Sequence, residues 1–167
     1  DAAAKAEMDR LLSNLTSFYY RMEYGMEILK TRTVQNNENG YCLGGQMVLE
    51  LARRGYPNLI GVSSFHGELG NLTSQSHDHF TKEVAISVHH ADLDYQGYQA
   101  LLNIENEFRA HNVSTWTTTK YGNCHHAWTV PSNENYKPFE AAQSHDYMNS
   151  FYCAILKDSK SQPKGCM

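Results

Sequence analysis

The pattern that most restricts the fold is an alternation of two hydrophobic periods along one chain. Leu59-Ile60-Gly61-Val62-Ser63-Ser64-Phe65 and Val84-Ala85-Ile86-Ser87-Val88 are short runs apolar enough to lie inside a sheet. Val113 to Thr119, dominated by Thr, Val and Trp, is a third strand candidate. Between and after them the period changes. Met47, Val48, Leu51 and Ala52 recur at helical spacing, as do Tyr98, Leu101, Leu102, Glu105 and Phe108, and then Met148, Phe151, Tyr152 and Ile155 in a segment of about 139–156. Strands that alternate with helices pair in parallel through right-handed crossovers, so the expected class is α/β, a mostly parallel sheet flanked by helices.

Ahead of this alternation, Met8, Leu11, Leu12, Leu15, Tyr19, Met22, Met26 and Leu29 share one helical face, which predicts a single long helix fading near 30–33. The polar stretch Gln35-Asn36-Asn37-Glu38-Asn39-Gly40 reads as turn-like. Gly55 and Pro57 end the second helix, and residues 67–79 form a polar loop. The 167 residues are sized for one domain, assigned to 1–157, with 158–167 as a flexible tail. Because the chain opens on Asp1 without an apolar run behind a basic start, it is expected to be a processed product or a fragment without a signal peptide.

Charge excludes one class of partner. A formal net charge of -4 repels a phosphate backbone, so no nucleic-acid partner is expected, and no apolar run is long enough to predict a membrane partner. Cys42, Cys124, Cys153 and Cys166 form no CxxC pair, and the expectation is reduced thiols in a cytoplasmic protein. Sequons at Asn14, Asn71 and Asn112 leave secretion as the alternative.

The sharpest local motif is Gly40-Tyr41-Cys42-Leu43-Gly44-Gly45, of the form G-x-C-x-G. This is a nucleophile elbow with Cys in the place of Ser. The nucleophile sits on a tight strand-to-helix turn, and small residues two before and two after it relieve crowding. The helix that starts at Leu43 aims its first amides at the sulfur, where they favour negative charge on a thiolate or a developing oxyanion. The elbow requires an acid and then a histidine further along the chain. Asp92 and Asp94 follow the second strand, and His125 and His126 follow the third. Both places are carboxyl ends of strands, where open α/β sheets hold their sites. A buried free Cys, a helix-capping Asp and a surface His are the structural alternatives for these residues.

In combination these segments resemble the dienelactone hydrolase family, a branch of the α/β-hydrolase fold, over about residues 1–156. The resemblance rests on 40–46, on Val62-Ser63-Ser64-Phe65-His66-Gly67, on His90-Ala91-Asp92-Leu93-Asp94 and on Tyr121-Gly122-Asn123-Cys124-His125-His126-Ala127-Trp128. It implies Cys42 as nucleophile, His126 as general base and the Leu43 amide as oxyanion donor. The family's H-G-x-x-D pattern favours Asp94 as the acid, with Asp92 one short slip away. The implied activity is cleavage of a carboxylic ester or lactone through an acyl-enzyme, with a small-molecule substrate and no cofactor.

The same resemblance makes the fold a partial α/β-hydrolase, since the family's domain carries further strands ahead of the helix that opens this chain. Val130 stands where some members carry an arginine for the substrate carboxylate. A second reading follows: a truncated or degenerate relative that binds without catalysis and forms homo-oligomers through an exposed sheet edge. A third, a metalloprotein, rests on nine histidines that include His77-Asp78-His79 and His89-His90. His77 and His79 would share a face only on a strand, and they fall in the polar loop. His89 is expected to pack at a strand end and His66 in a turn.

Overall fold

A computed structural model describes residues 2–30, 36–70, 79–156 and 166. They divide into two compact units, Asp1–Asn36 and Asn37–Met167. The first holds two helices, α1 (Ala2–Leu12) and α2 (Leu15–Lys30), where the periodicity predicts one. The break has a local cause. The Asn14 side-chain oxygen accepts a hydrogen bond from the Ser17 amide at 3.0 Å, which is the N-cap interaction of a new helix. The apolar face continues across the break, with Tyr19 and Met22 buried. The side chains of Met8, Met26 and Leu29, assigned to the same face, lie outside the described set.

The second unit is a four-stranded sheet in the order β1 (Asn36–Tyr41), β2 (Leu59–Phe65), β3 (Ala85–Ala91), β4 (Trp116–Tyr121). Strands β2 and β3 pair in parallel with Phe65 opposite His89, and β3 and β4 pair in parallel with Ala91 opposite Tyr121. Every residue of β3 is buried, as in a strand covered on both faces. The Thr-rich β4, at one end of the sheet, is mostly half-exposed. Helices α3 (Leu43–Arg53), α4 (Gly97–Ala110) and α5 (Pro138–Ile155) form the crossovers and cover. α3 packs on β2, α4 on β4, and α5 on β2 and β3. Among the described residues no helix is long and apolar enough to cross a membrane.

Three expectations are corrected here. The polar segment before Tyr41, read as a turn, is strand β1. It forms one end of the described sheet, beside β2. Strand β3 runs on through His89 and His90 to Ala91, because His89 is satisfied inside the sheet. Its ring pairs with Ser87 Oγ at 3.1 Å and with the Tyr121 hydroxyl at 2.9 Å. The cysteines are not all reduced. Cys153 and Cys166 form a disulfide with a Cα–Cα distance of 5.4 Å, while Cys42 and Cys124 are free. The remainder of the expected tail, like the Asn71 sequon and His77, lies outside the described residues.

Helix α3 fixes the site and ends as its sequence predicts. The Gly55 amide donates to Ala52 O and the Tyr56 amide to Leu51 O, with Gly55 at φ 60°. This is a Schellman motif, which needs a residue tolerant of the left-handed region.

Candidate active site

The carboxyl ends of all four strands gather at one edge of the sheet. β1 delivers Cys42, β2 delivers His66, the turn after β3 delivers Asp94, and the loop after β4 delivers His126. Cys42 has φ 51° and ψ −121°, a conformation that a Cβ-bearing residue adopts at a cost of about 1–3 kcal/mol. Its amide donates to Phe65 O at 3.0 Å, and its carbonyl accepts from the Gln46 amide as α3 begins. The bend is therefore held by the neighbouring strand on one side and the helix on the other.

Close backbone approach brings the second histidine in. A Cβ on Gly67 would lie 2.5 Å from the Gly45 carbonyl carbon, and one on Gly45 would lie 2.8 Å from the Gly67 Cα. Only glycine at both positions lets the first turn of α3 and the turn after β2 touch. The elbow motif is thereby refined. Gly40 is required, since a Cβ there would strike the Gly44 backbone, but Gly44 faces open space and the second crowded position is Gly45.

His126 Nδ1 lies 3.0 Å from Asp94 Oδ2. The Asp94 side chain is fully buried. Burial alone would raise its carboxyl, but hydrogen bonds from His126 and from the Gln96 amide outweigh that and hold it below the usual range. Gln96 ties this acid to the rest of the site, because its side-chain amide reaches both Asp94 Oδ1 at 3.3 Å and Gly67 O at 3.0 Å. The Asp94 hydrogen bond, aided by the neighbouring Cys42 sulfur, lifts His126 to about 9. The two acids have different neighbours. Asp92 forms an exposed ion pair with Lys120 at 2.6 Å, and Asp94 is the one on the imidazole.

Cys42 Sγ, a nitrogen of His66 and a nitrogen of His126 all lie within 4.8 Å of one another. Cys42 and His126 are thus brought together, and Leu43 is the first residue of the helix behind the sulfur. His66 has a larger part than the turn position assigned to it. Its Nδ1 accepts from the Cys42 amide at 3.2 Å and lies 3.3 Å from Sγ, and its Nε2 pairs with Thr129 Oγ1 at 2.8 Å. Burial pushes His66 down to about 4, and the charge of His126 adds to the effect. The ring is neutral at pH 7, so Nδ1 is the acceptor and Nε2 donates to Thr129. A sequence signal for His66 exists: it follows strand β2 directly, at the same kind of carboxyl end that selects Asp94 and His126. The other free thiol, Cys124, is buried and pushed up to about 11 by that burial. Tyr95, 70% exposed, stands beside His126 with ring centroids 5.3 Å apart.

A parallel sheet with a strained residue at its first strand-to-helix turn, followed in chain order by an acid and a histidine, defines the α/β-hydrolase class. Residues 3–156 match the profile of the dienelactone hydrolase family, and the chain belongs to that family. Membership supports a function of hydrolase type. The chain is similar to a dienelactone hydrolase-like promiscuous phosphotriesterase from metagenomic libraries, at 22% identity and a TM-score of 0.74, with 90% of this chain and 66% of that one covered. It is similar in fold to acyl-protein thioesterase 2 of Zea mays, at 14% identity and a TM-score of 0.60, covering 80% of this chain and 64% of that one. The chain therefore spans just under two thirds of either structure's length. By sequence it is 27% identical over 123 residues to the uncharacterized Caenorhabditis elegans protein K02A2.1, covering 71% of this chain and 77% of that one.

Proposed function

We propose that the chain acts on carboxylic esters or lactones of the dienelactone type, with Cys42 as nucleophile, His126 as proton carrier and Asp94 as the group that orients it. The observation that carries this reading is the line Asp94–His126–Cys42. A buried carboxylate lies 3.0 Å from His126 Nδ1, and the Cys42 sulfur lies within 4.8 Å of a nitrogen of the same ring. His126 is held protonated through neutral pH, which suits a thiolate–imidazolium pair.

The steps then balance. The Cys42 sulfur attacks the carbonyl carbon, and the carbonyl electron pair moves onto oxygen, where the Leu43 amide stabilises it. Collapse of the adduct expels the alkoxide, which takes the proton from His126. Neutral His126 then removes a proton from water, the hydroxide attacks the thioester, and the acid leaves as sulfur regains its negative charge. Thiolates favour activated esters and enol-lactones, whose leaving groups need little protonation. Tyr95 supplies an aromatic wall beside the reacting centre. A small-molecule substrate and pairing between copies through the β1 end of the sheet belong to the same proposal. For the compartment, the cytoplasm remains the reading from the sequence, whereas the Cys153–Cys166 bridge favours the secreted alternative.

The test is hydrolysis of p-nitrophenyl acetate and of dienelactone by the chain and by its Cys42→Ala variant. The expected result is turnover of at least one ester that the variant lacks. Equal rates for the two proteins would remove the hydrolase reading and leave a binding protein on a hydrolase scaffold.

A further inference from the structure

The convergence of Cys42, His66 and His126 has more donors than acyl transfer uses. A tetrahedral zinc ion with bonds of ~2.3 Å to sulfur and ~2.0–2.1 Å to nitrogen sets its ligand atoms roughly 3.4–3.6 Å apart. Cys42 Sγ and His66 Nδ1 already stand at 3.3 Å, and a nitrogen of His126 lies within 4.8 Å of the sulfur and of a His66 nitrogen. The outward nitrogen of each ring is occupied. Thr129 Oγ1 holds His66 Nε2 at 2.8 Å, and Asp94 holds His126 Nδ1 at 3.0 Å. Such outer partners fix the ring planes, as they do in histidine-ligated metal sites. His66 Nδ1 faces the sulfur and accepts from the Cys42 amide at 3.2 Å, a hydrogen bond that a bound ion would replace. Cys42 and His126 are each partly exposed, which gives an ion a way in and leaves a fourth position for water.

We propose that Cys42 Sγ, His66 Nδ1 and His126 Nε2 form a three-ligand site for a divalent cation of the zinc class, and that its occupation withholds the sulfur from substrate. One thiolate with two imidazoles selects borderline-soft ions over magnesium or calcium. Binding releases the thiol proton, and any proton on the two inward nitrogens, to the buffer. The site differs from the His77–His79 set considered from the sequence, for His79 instead stacks on His111 with centroids 4.6 Å apart. Only the inhibitory half of the proposal rests on Cys42 being the nucleophile.

Cobalt(II) alone, titrated into the metal-free full chain, separates the two. The expected result is a one-equivalent sulfur-to-cobalt charge-transfer band with intense visible bands of four-coordinate cobalt, lost in Cys42→Ala and displaced by zinc. Thr129→Val should weaken binding by about 10–100-fold through its hold on His66, and His66→Gln by at least as much. The Thr129 variant keeps the test decisive if the His66 variant does not fold. A band that survives in Cys42→Ala, or no band at millimolar cobalt, overturns the site. Turnover of p-nitrophenyl acetate with and without zinc then reads the inhibition. A cobalt site in a chain without turnover would uphold the site and end the hydrolase reading, whereas turnover without a cobalt band would end the site alone.

Discussion

A buried arginine closes one end of helix α3 and a partly exposed cysteine precedes the other, and the two are held in opposite ways. At its last residue, the fully buried Arg53 has every guanidinium nitrogen engaged. Nε and Nη2 donate to the two Glu107 oxygens at 2.9 Å each, Nη1 to Glu50 at 2.7 Å, and Nη2 also to Leu69 O at 2.8 Å. The Phe80 ring lies against the guanidinium at 4.6 Å. At the other end Cys42 sits at positive φ, makes no side-chain cap, and presents a part-exposed sulfur. A closed network fixes how α3, α4 and the segment at Leu69 pack. The strained end leaves Cys42 partly exposed. The contrast shows that burial of a polar group does not by itself mark function.

The comparison can be broken most severely at the acid. Asp94→Asn should lower kcat by about 10²–10⁴-fold through loss of imidazole orientation, whereas Asp92→Asn, at the exposed ion pair, should stay within about twofold. Steady-state kinetics on p-nitrophenyl acetate decides between them. Equal losses would void the distinction drawn from the His126 contact. At the closed end, Arg53→Met should cost about 3–5 kcal/mol in urea unfolding, because the Glu50 and Glu107 carboxylates both lose the guanidinium they share. A change below about 1 kcal/mol would mean that the network is not closed in solution.

Acid should separate the two ends further. His66 is held down to about 4 and His89 to about 3, both mainly by burial. Their folded values lie below the unfolded value near 6.5, so the folded state binds fewer protons. Their contribution is complete above about pH 6.5 and is lost as pH falls through about 4 and 3, on the order of 3–5 kcal/mol each. His126 has the opposite sign. Raised to about 9, it contributes fully below about 6.5 and loses that contribution as pH rises through 9. Stability measured across pH should therefore fall at both extremes, and His66→Gln should flatten the acid side. The smallest effect expected is at the bend itself. Cys42→Gly should raise stability by about 1 kcal/mol, since glycine accepts the positive φ without strain.

Much of this was legible in the sequence. The limits of β2 and the Gly55 stop of α3 follow from period and turn chemistry. The elbow pattern asks only for an acid and then a histidine after Cys42, and it is the resemblance to the dienelactone hydrolase family that implies Asp94 and His126. What was not legible depends on tertiary neighbours. β1 reads as a turn because its residues are polar, and its pairing beside β2 depends on the fold rather than on local composition. His89 and His90 look like the end of a strand, yet Ser87 and Tyr121 supply the partners that let it continue. Asn14 has the composition of a cap, but the apolar face runs on past it and conceals the break. A histidine between Phe65 and Gly67 looks like turn material, and the approach of His66 to Cys42 depends on the Gly45–Gly67 contact across two elements. The Cys153–Cys166 pairing has no spacing signature.

The most direct measurement is rapid-quench mass spectrometry during reaction with p-nitrophenyl acetate. One acetyl group per chain should appear, map to Cys42, and build up further when Asp94→Asn slows deacylation. Acetyl found on Cys124, or hydrolysis proceeding with Cys42 unmodified at every time point, would contradict a covalent role for the sulfur at the head of α3.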